Sequence, residues 1–133
     1  MSVAWSITSS ESGRFNPIEQ YSEVDALGQK FEELRSRGRG YFEVRQSNAE
    51  YPRLGVGFQG DQAVVHLFLD EESVSLLEGD GTFPEEATVE LPIVDESATF
   101  TGGFVLGIDH AWSKVLSFAQ TGTFESMGNW CEL

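Results

Sequence analysis

Among 133 residues there is one cysteine, Cys131. A single thiol excludes an intrachain disulfide and every Cys-x-x-Cys zinc or redox motif. A domain of this size without disulfides suits a reducing compartment, and the expected location is cytoplasmic. No run of about 18 apolar residues occurs, so no membrane-spanning helix is expected. The opening MSVAWSITSSESGRF lacks a basic start followed by an apolar stretch, so no secretory signal is expected there. Positive charge is also scarce. There are 8 Lys and Arg against 22 Asp and Glu, a formal net charge of −14.

The imbalance is concentrated in one part of the chain. Residues 14–53 hold seven bases and seven acids, which cancel. Residues 54–133 hold fourteen acids and one base, Lys114, and no Lys or Arg lies between Leu54 and Ser113. Such a field repels nucleic acid and anionic membranes, whose phosphates need cations, and attracts basic partners. Apolar residues at 40% and ten Phe are enough for a packed core, so the charge does not imply a disordered chain. One domain spanning residues 1–133 is expected.

Apolar spacing predicts the elements. Val3 to Thr8 alternates weakly as a strand, and the polar segment that follows, to about Tyr21, reads as loop. Ser22 is placed to cap a helix in which Val24, Leu27, Phe31 and Leu34 form one stripe. That helix ends on Arg35, Arg37 and Gly38. Three strands follow as a meander: Tyr41 to Arg45, Leu54 to Phe58 and Ala63 to Leu69, the last apolar on both faces. Val74 to Leu77, Thr88 to Pro92 and the segment from Ala98 to Leu106 are further extended pieces. Ile108, Ala111, Trp112, Val115, Leu116 and Ala119 then mark a second amphipathic helix, ended by Gly122. The expected fold is α+β, an antiparallel sheet of about five strands covered by two helices.

Little here carries chemistry. Gly55-Val-Gly-Phe-Gln-Gly60 matches G-x-G-x-x-G, but its glycines lie inside a strand and a second strand follows. A dinucleotide site needs the last glycine to open a helix, and a kinase-type loop needs a Lys on the next strand, which reads AVVHLFLD. Bare glycines on one strand face instead suit close packing by another backbone or a large side chain. His66 falls on the central strand and His110 off the stripe of the second helix, where solvation is expected. Two His and one Cys give no zinc spacing, and neither Asp70-Glu-Glu72 nor Glu78-Gly-Asp80 fits a calcium loop. No catalytic, metal-binding or cofactor-binding residue is assigned, and no enzyme is expected. A small hydrolase built on Glu85, Glu86 and His66 would require those three to converge in one cleft.

The order of features does resemble a known family. Tyr51-Pro-Arg-Leu-Gly-Val-Gly-Phe58, then Gly60-Asp-Gln-Ala-Val-Val-His-Leu-Phe-Leu69, is similar to the centre of the first immunity-protein family of bacterial polymorphic toxin systems. Phe100-Thr-Gly-Gly-Phe-Val-Leu106, the helix through Trp112 and Phe118, and the ending Trp130-Cys-Glu-Leu133 resemble its second half. The likeness covers residues 22 to 133. It implies a non-enzymatic protein that neutralises a toxin, often a deaminase or another nucleic-acid-modifying enzyme, by binding it.

With that resemblance, the acidity has an expected role. A toxin acting on nucleic acid presents a basic groove that an acidic face can occupy, and complementary charge speeds capture. The docking face is expected between Asp70 and Glu96. Its acids would be Asp70, Glu71, Glu72, Glu78, Asp80, Glu85 and Glu86, with Phe83 as an apolar anchor. An acidic adaptor for some other basic protein is the alternative.

Overall fold

The computed structural model describes residues 2–133. The chain forms β1 (Ser2–Thr8), β2 (Phe15–Glu23), α1 (Val24–Arg37), β3 (Arg39–Gln46), β4 (Arg53–Gln59), β5 (Gln62–Phe68) and β6 (Val74–Leu77). There follow β7 (Thr88–Ile93), β8 (Glu96–Thr101), β9 (Leu106–Gly107), α2 (Ile108–Thr121) and β10 (Trp130–Glu132). Seven strands run in the order β10-β6-β5-β4-β3-β1-β2, and β9 adds to the end of β5. Every pairing is antiparallel. Strands β7 and β8 pair only with each other, as a separate ribbon. The fold is α+β with two helices, but the sheet is larger than the five strands expected.

Two of the extra strands escaped the sequence for identifiable reasons. The segment read as loop up to Tyr21 contains β2, an edge strand along which no side chain is fully buried. With Ile18 and Tyr21 72% and 63% exposed, it carries no apolar alternation. At the opposite edge, β10 is three residues long and pairs with β6 through Trp130↔Leu77.

The cap of α1 also differs from expectation. Strand β2 runs into the helix without a loop, so Ser22 is held in the ladder opposite Val3 and Glu23 takes the N-cap position. The Ser22 hydroxyl accepts from the Trp5 indole N–H at 2.9 Å and donates to the Glu23 carbonyl at 2.8 Å. At the other end the expectation holds. Gly38 adopts φ +94° and donates to the Leu34 and Arg35 carbonyls, a conformation glycine reaches without a Cβ clash.

Both helices cover one face of the sheet. Leu27, Phe31 and Leu34 of α1 and Ala111, Val115 and Phe118 of α2 join Phe42, Val44, Leu54, Val56, Phe58 and Val65 in the main core. Phe31 stacks on Trp112 at 4.7 Å, joining the helices, and meets Phe42 and Phe58 edge-on. Truncating a buried ring of this kind to Ala costs about 3–5 kcal/mol.

The β7–β8 ribbon lies across the opposite face, over a smaller core of Val64, Leu76, Val89, Leu91 and Val105. Gly55 and Gly57 open that face. A side chain at Gly57 would strike the Pro92 carbonyl, and a Cβ at Gly55 would lie 2.5 Å from the Tyr41 hydroxyl oxygen. The glycine string is therefore a packing feature. Its last member, Gly60, donates its N–H to the Gly38 carbonyl at 2.8 Å.

Candidate functional site

Strand direction decides where the acids go. Residues 8–15, 37–40, 60–61, 78–87 and 101–109 gather at one end of the sheet, which we call the upper end. Residues 46–53 and 69–73 lie at the lower end. Arg39↔Gln59 and Gln62↔Gly107 are upper pairs, Arg45↔Arg53 and Phe68↔Val74 are lower ones, and the Gly107–Asp80 and Gly79–Gly103 bonds tie the 78–87 and 101–105 segments to the upper end. The eight residues expected to form one docking face are thus divided by β6. Four residues of strand span about 13 Å.

At the lower end, Asp70 closes the β5–β6 hairpin. Its Oδ1 accepts from the Glu72 and Ser73 N–H groups, both at 2.8 Å, and the Ser73 hydroxyl donates to Oδ2 at 3.2 Å. Those backbone donors, Glu72 first, hold its carboxyl below the usual carboxylate range. Asp70 is spent on the turn. Glu71 borders a small recess of about 160 Å³ with Glu43, Tyr51, Arg53 and Phe68, and Glu72 is exposed.

At the upper end, Asp80 is likewise structural. Its Oδ1 accepts from the Thr82 N–H at 2.9 Å. Its Oδ2 accepts from the Gly107 N–H at 3.1 Å and meets His110 Nδ1 at 2.9 Å. Hydrogen bonds from Thr82, His110 and Gly107 outweigh the cost of burial and hold the Asp80 carboxyl well below its usual range. The side chain is only 12% exposed, so Asp80 pins its loop to the start of α2 and is not a free docking acid. His110 is correspondingly a partner of Asp80, where simple solvation was expected.

Phe83 is half-buried against the second core beside Phe104, which limits the part it can offer as an anchor. Of the acids expected to dock, Glu78, Glu85 and Glu86 are exposed at this end, and Glu78 accepts from the Asn129 amide at 3.4 Å. Glu78 and Glu85 border an open cleft of about 470 Å³ whose lining includes Phe83, Phe104, Gly79 and Gly81. The cleft is held by backbone bonds, Gly79 N–H to the Gly103 carbonyl at 2.7 Å and Gly102 N–H to the Ala87 carbonyl at 2.8 Å. Two carboxylates beside half-buried rings can receive an ammonium or guanidinium group.

His66 lies apart from this cleft. It stands on β5 beside the Phe68 ring and edge-on to Phe100, 8% exposed, with Nδ1 buried and unpartnered. Burial pulls it down to about 4, so the ring is neutral at pH 7. The convergence with Glu85 and Glu86 that a hydrolase would need is not seen. Among the described residues no cluster of three His, Cys, Asp or Glu side chains is arranged to hold a metal.

A network the sequence did not reveal fills the lower part of the ribbon face. Arg45 grips Glu19 with two bonds of 2.8 and 2.9 Å and donates to the Tyr21 hydroxyl at 3.0 Å. Arg53 bridges Glu43 at 3.5 Å and Glu19 at 3.9 Å. The bonds from Arg45 hold the Glu19 carboxyl below its usual range. The only available signal was the alternation of Glu43 and Arg45 on β3, and Glu19 sat in the segment read as loop. The network pairs two of the acids and two of the bases that cancel within residues 14–53: Glu19, Glu43, Arg45 and Arg53.

No protein-family model matches the chain, and no curated protein matches it.

Proposed function

We propose that this protein is an immunity protein that binds a cognate toxin and neutralises it without chemistry of its own. The toxin is a nucleic-acid-acting enzyme, a deaminase or nuclease, with a basic substrate groove. The observation that carries the reading is the upper cleft, where Glu78 and Glu85 flank Phe83 and Phe104 in a stretch of chain free of Lys and Arg. A basic side chain entering there exchanges hydration for two carboxylates and aromatic surface. Glu86 and the surrounding acids supply a field that guides approach, extending about 8 Å at physiological ionic strength. The resemblance to the immunity family names the kind of partner. Its site of action is the cytoplasm, where such a toxin meets nucleic acid.

The test is co-expression with the product of the neighbouring gene, reading growth and co-purification. Reversal of the upper acids (Glu78→Lys, Glu85→Lys, Glu86→Lys) is expected to abolish protection. Reversal of the lower pair (Glu71→Lys, Glu72→Lys) is expected to leave it. A neighbouring product that is harmless alone, or that does not bind this protein, overturns the reading.

A further inference from the structure

Cations are rare in this molecule, and half of the eight are spent in ion pairs. Lys30, Arg35, Arg45 and Arg53 each form ion pairs. Among the described residues Arg37 and Arg39 have no ion pair and no side-chain hydrogen bond. They stand together, on either side of the Gly38 turn, and both border an upper-end cleft of about 340 Å³. Three tips enclose it: the β1–β2 hairpin loop, the α1–β3 turn and the Val94–Asp95 turn of the ribbon.

The facing wall is built of hydroxyls. Ser9, Ser10 and Ser12 all border the cleft. Ser9 Oγ accepts from the Glu11 and Ser12 N–H groups at 3.3 and 3.4 Å, and Ser12 Oγ accepts from the Arg14 N–H at 3.2 Å. With their oxygens occupied, Ser9 and Ser12 keep their O–H protons available to a ligand. Leu34, Gly40, Pro92 and Val94 add an apolar side. Of the two acids on the lining, Asp95 is committed to the Phe15 N–H at 2.7 Å, and Glu11 is exposed.

From this arrangement we infer a binding site for a small phosphomonoester whose body is apolar. Two guanidinium groups and three hydroxyls offer more donors than a carboxylate can accept, and they suit the three terminal oxygens of a phosphate. The volume lies at the low end for small-molecule pockets. The ester's apolar body rests on Leu34, Pro92 and Val94. Enclosure by three tips favours a free small molecule over a phosphorylated side chain on a protein. The inference is independent of any toxin, because it concerns the cationic side of the upper end and not the acidic cleft.

The test is titration followed by amide NMR at low ionic strength, with phenyl phosphate, inorganic phosphate and a phosphotyrosine peptide as probes. Phenyl phosphate is expected to give saturable shifts confined to residues 9–13, 34–40 and 92–95. It should bind at least about threefold more tightly than inorganic phosphate because its ring covers the apolar side. The Arg37→Gln/Arg39→Gln variant should weaken binding at least about tenfold, Glu11→Gln should strengthen it, and Arg14→Gln should leave it unchanged. Absence of saturation, or equal binding by the double variant, overturns the site. A peptide that binds more tightly than phenyl phosphate overturns the assignment to a free ligand.

Discussion

Gly57 lies directly beneath the Pro92 carbonyl, and no side chain fits between them. This contact seats the β7–β8 ribbon on the sheet and accounts for a glycine that sequence pattern alone would offer to a nucleotide. Gly57→Ala is therefore expected to destabilise the fold by about 2–4 kcal/mol, through overpacking against backbone that cannot yield. Chemical denaturation measures it. A loss below about 0.5 kcal/mol would show that the ribbon sits loosely.

His66 makes stability depend on pH. Its folded-state value of about 4 lies below the ordinary 6.5, because burial disfavours the charged ring. Between these values the unfolded chain binds the proton and the folded chain does not, so stability falls as pH is lowered from 6.5 to 4. The loss at pH 4 is about 3 kcal/mol. His66→Phe should remove this slope, and it loses no hydrogen bond at Nδ1 because that atom has none. Subtracting the variant's pH–stability curve from the parent's isolates the contribution.

Asp80 gives a prediction of the same sign at lower pH, with hydrogen bonding as its cause in place of burial. Asp80→Ala removes the acceptor of the Thr82 and Gly107 N–H groups and the partner of His110. It should cost about 1–2 kcal/mol and raise hydrogen exchange at residues 78–83 and 107–110. Since the fold holds this carboxyl below its usual range, its contribution is present above the unfolded value near 3.8 and is lost as pH falls toward the lower folded one. In the alanine variant that acid-limb contribution should be missing.

Val94 sits at φ +58° in the ribbon turn and is 40% exposed. A β-branched residue in the left-handed region is strained by about 1–2 kcal/mol, and here little packing repays it. Val94→Gly should raise the melting temperature or leave it unchanged. A clear drop would mean that the side chain has packing not visible in its exposure.

The parts of the fold legible in the sequence were those with one-sided apolar patterning. Both helices, the β3–β4–β5 meander and the Gly38 and Gly122 stops follow from periodicity and turn chemistry alone. Strand β2 was hidden because an exposed edge has no buried face to print a pattern. The acids expected to dock show a different limit. Asp70 and Asp80 look like their neighbours in sequence, yet both carboxylates serve backbone N–H groups of local turns. Contiguity between Asp70 and Glu86 suggested one surface, and the short strand β6 separates it into two ends. Ion pairs such as Glu19–Arg45 join residues far apart in sequence, and only the strand register reveals them.

The central claim concerns the upper acidic cleft, and stopped-flow association with the proposed toxin partner, the product of the neighbouring gene, tests it directly across a range of salt. Association should be fast and fall steeply with ionic strength. Reversal of Glu78, Glu85 and Glu86 to Lys should slow it at least about tenfold with the fold intact. An unchanged rate in that variant, or a complex in which the toxin touches only residues 1–53, would contradict the account.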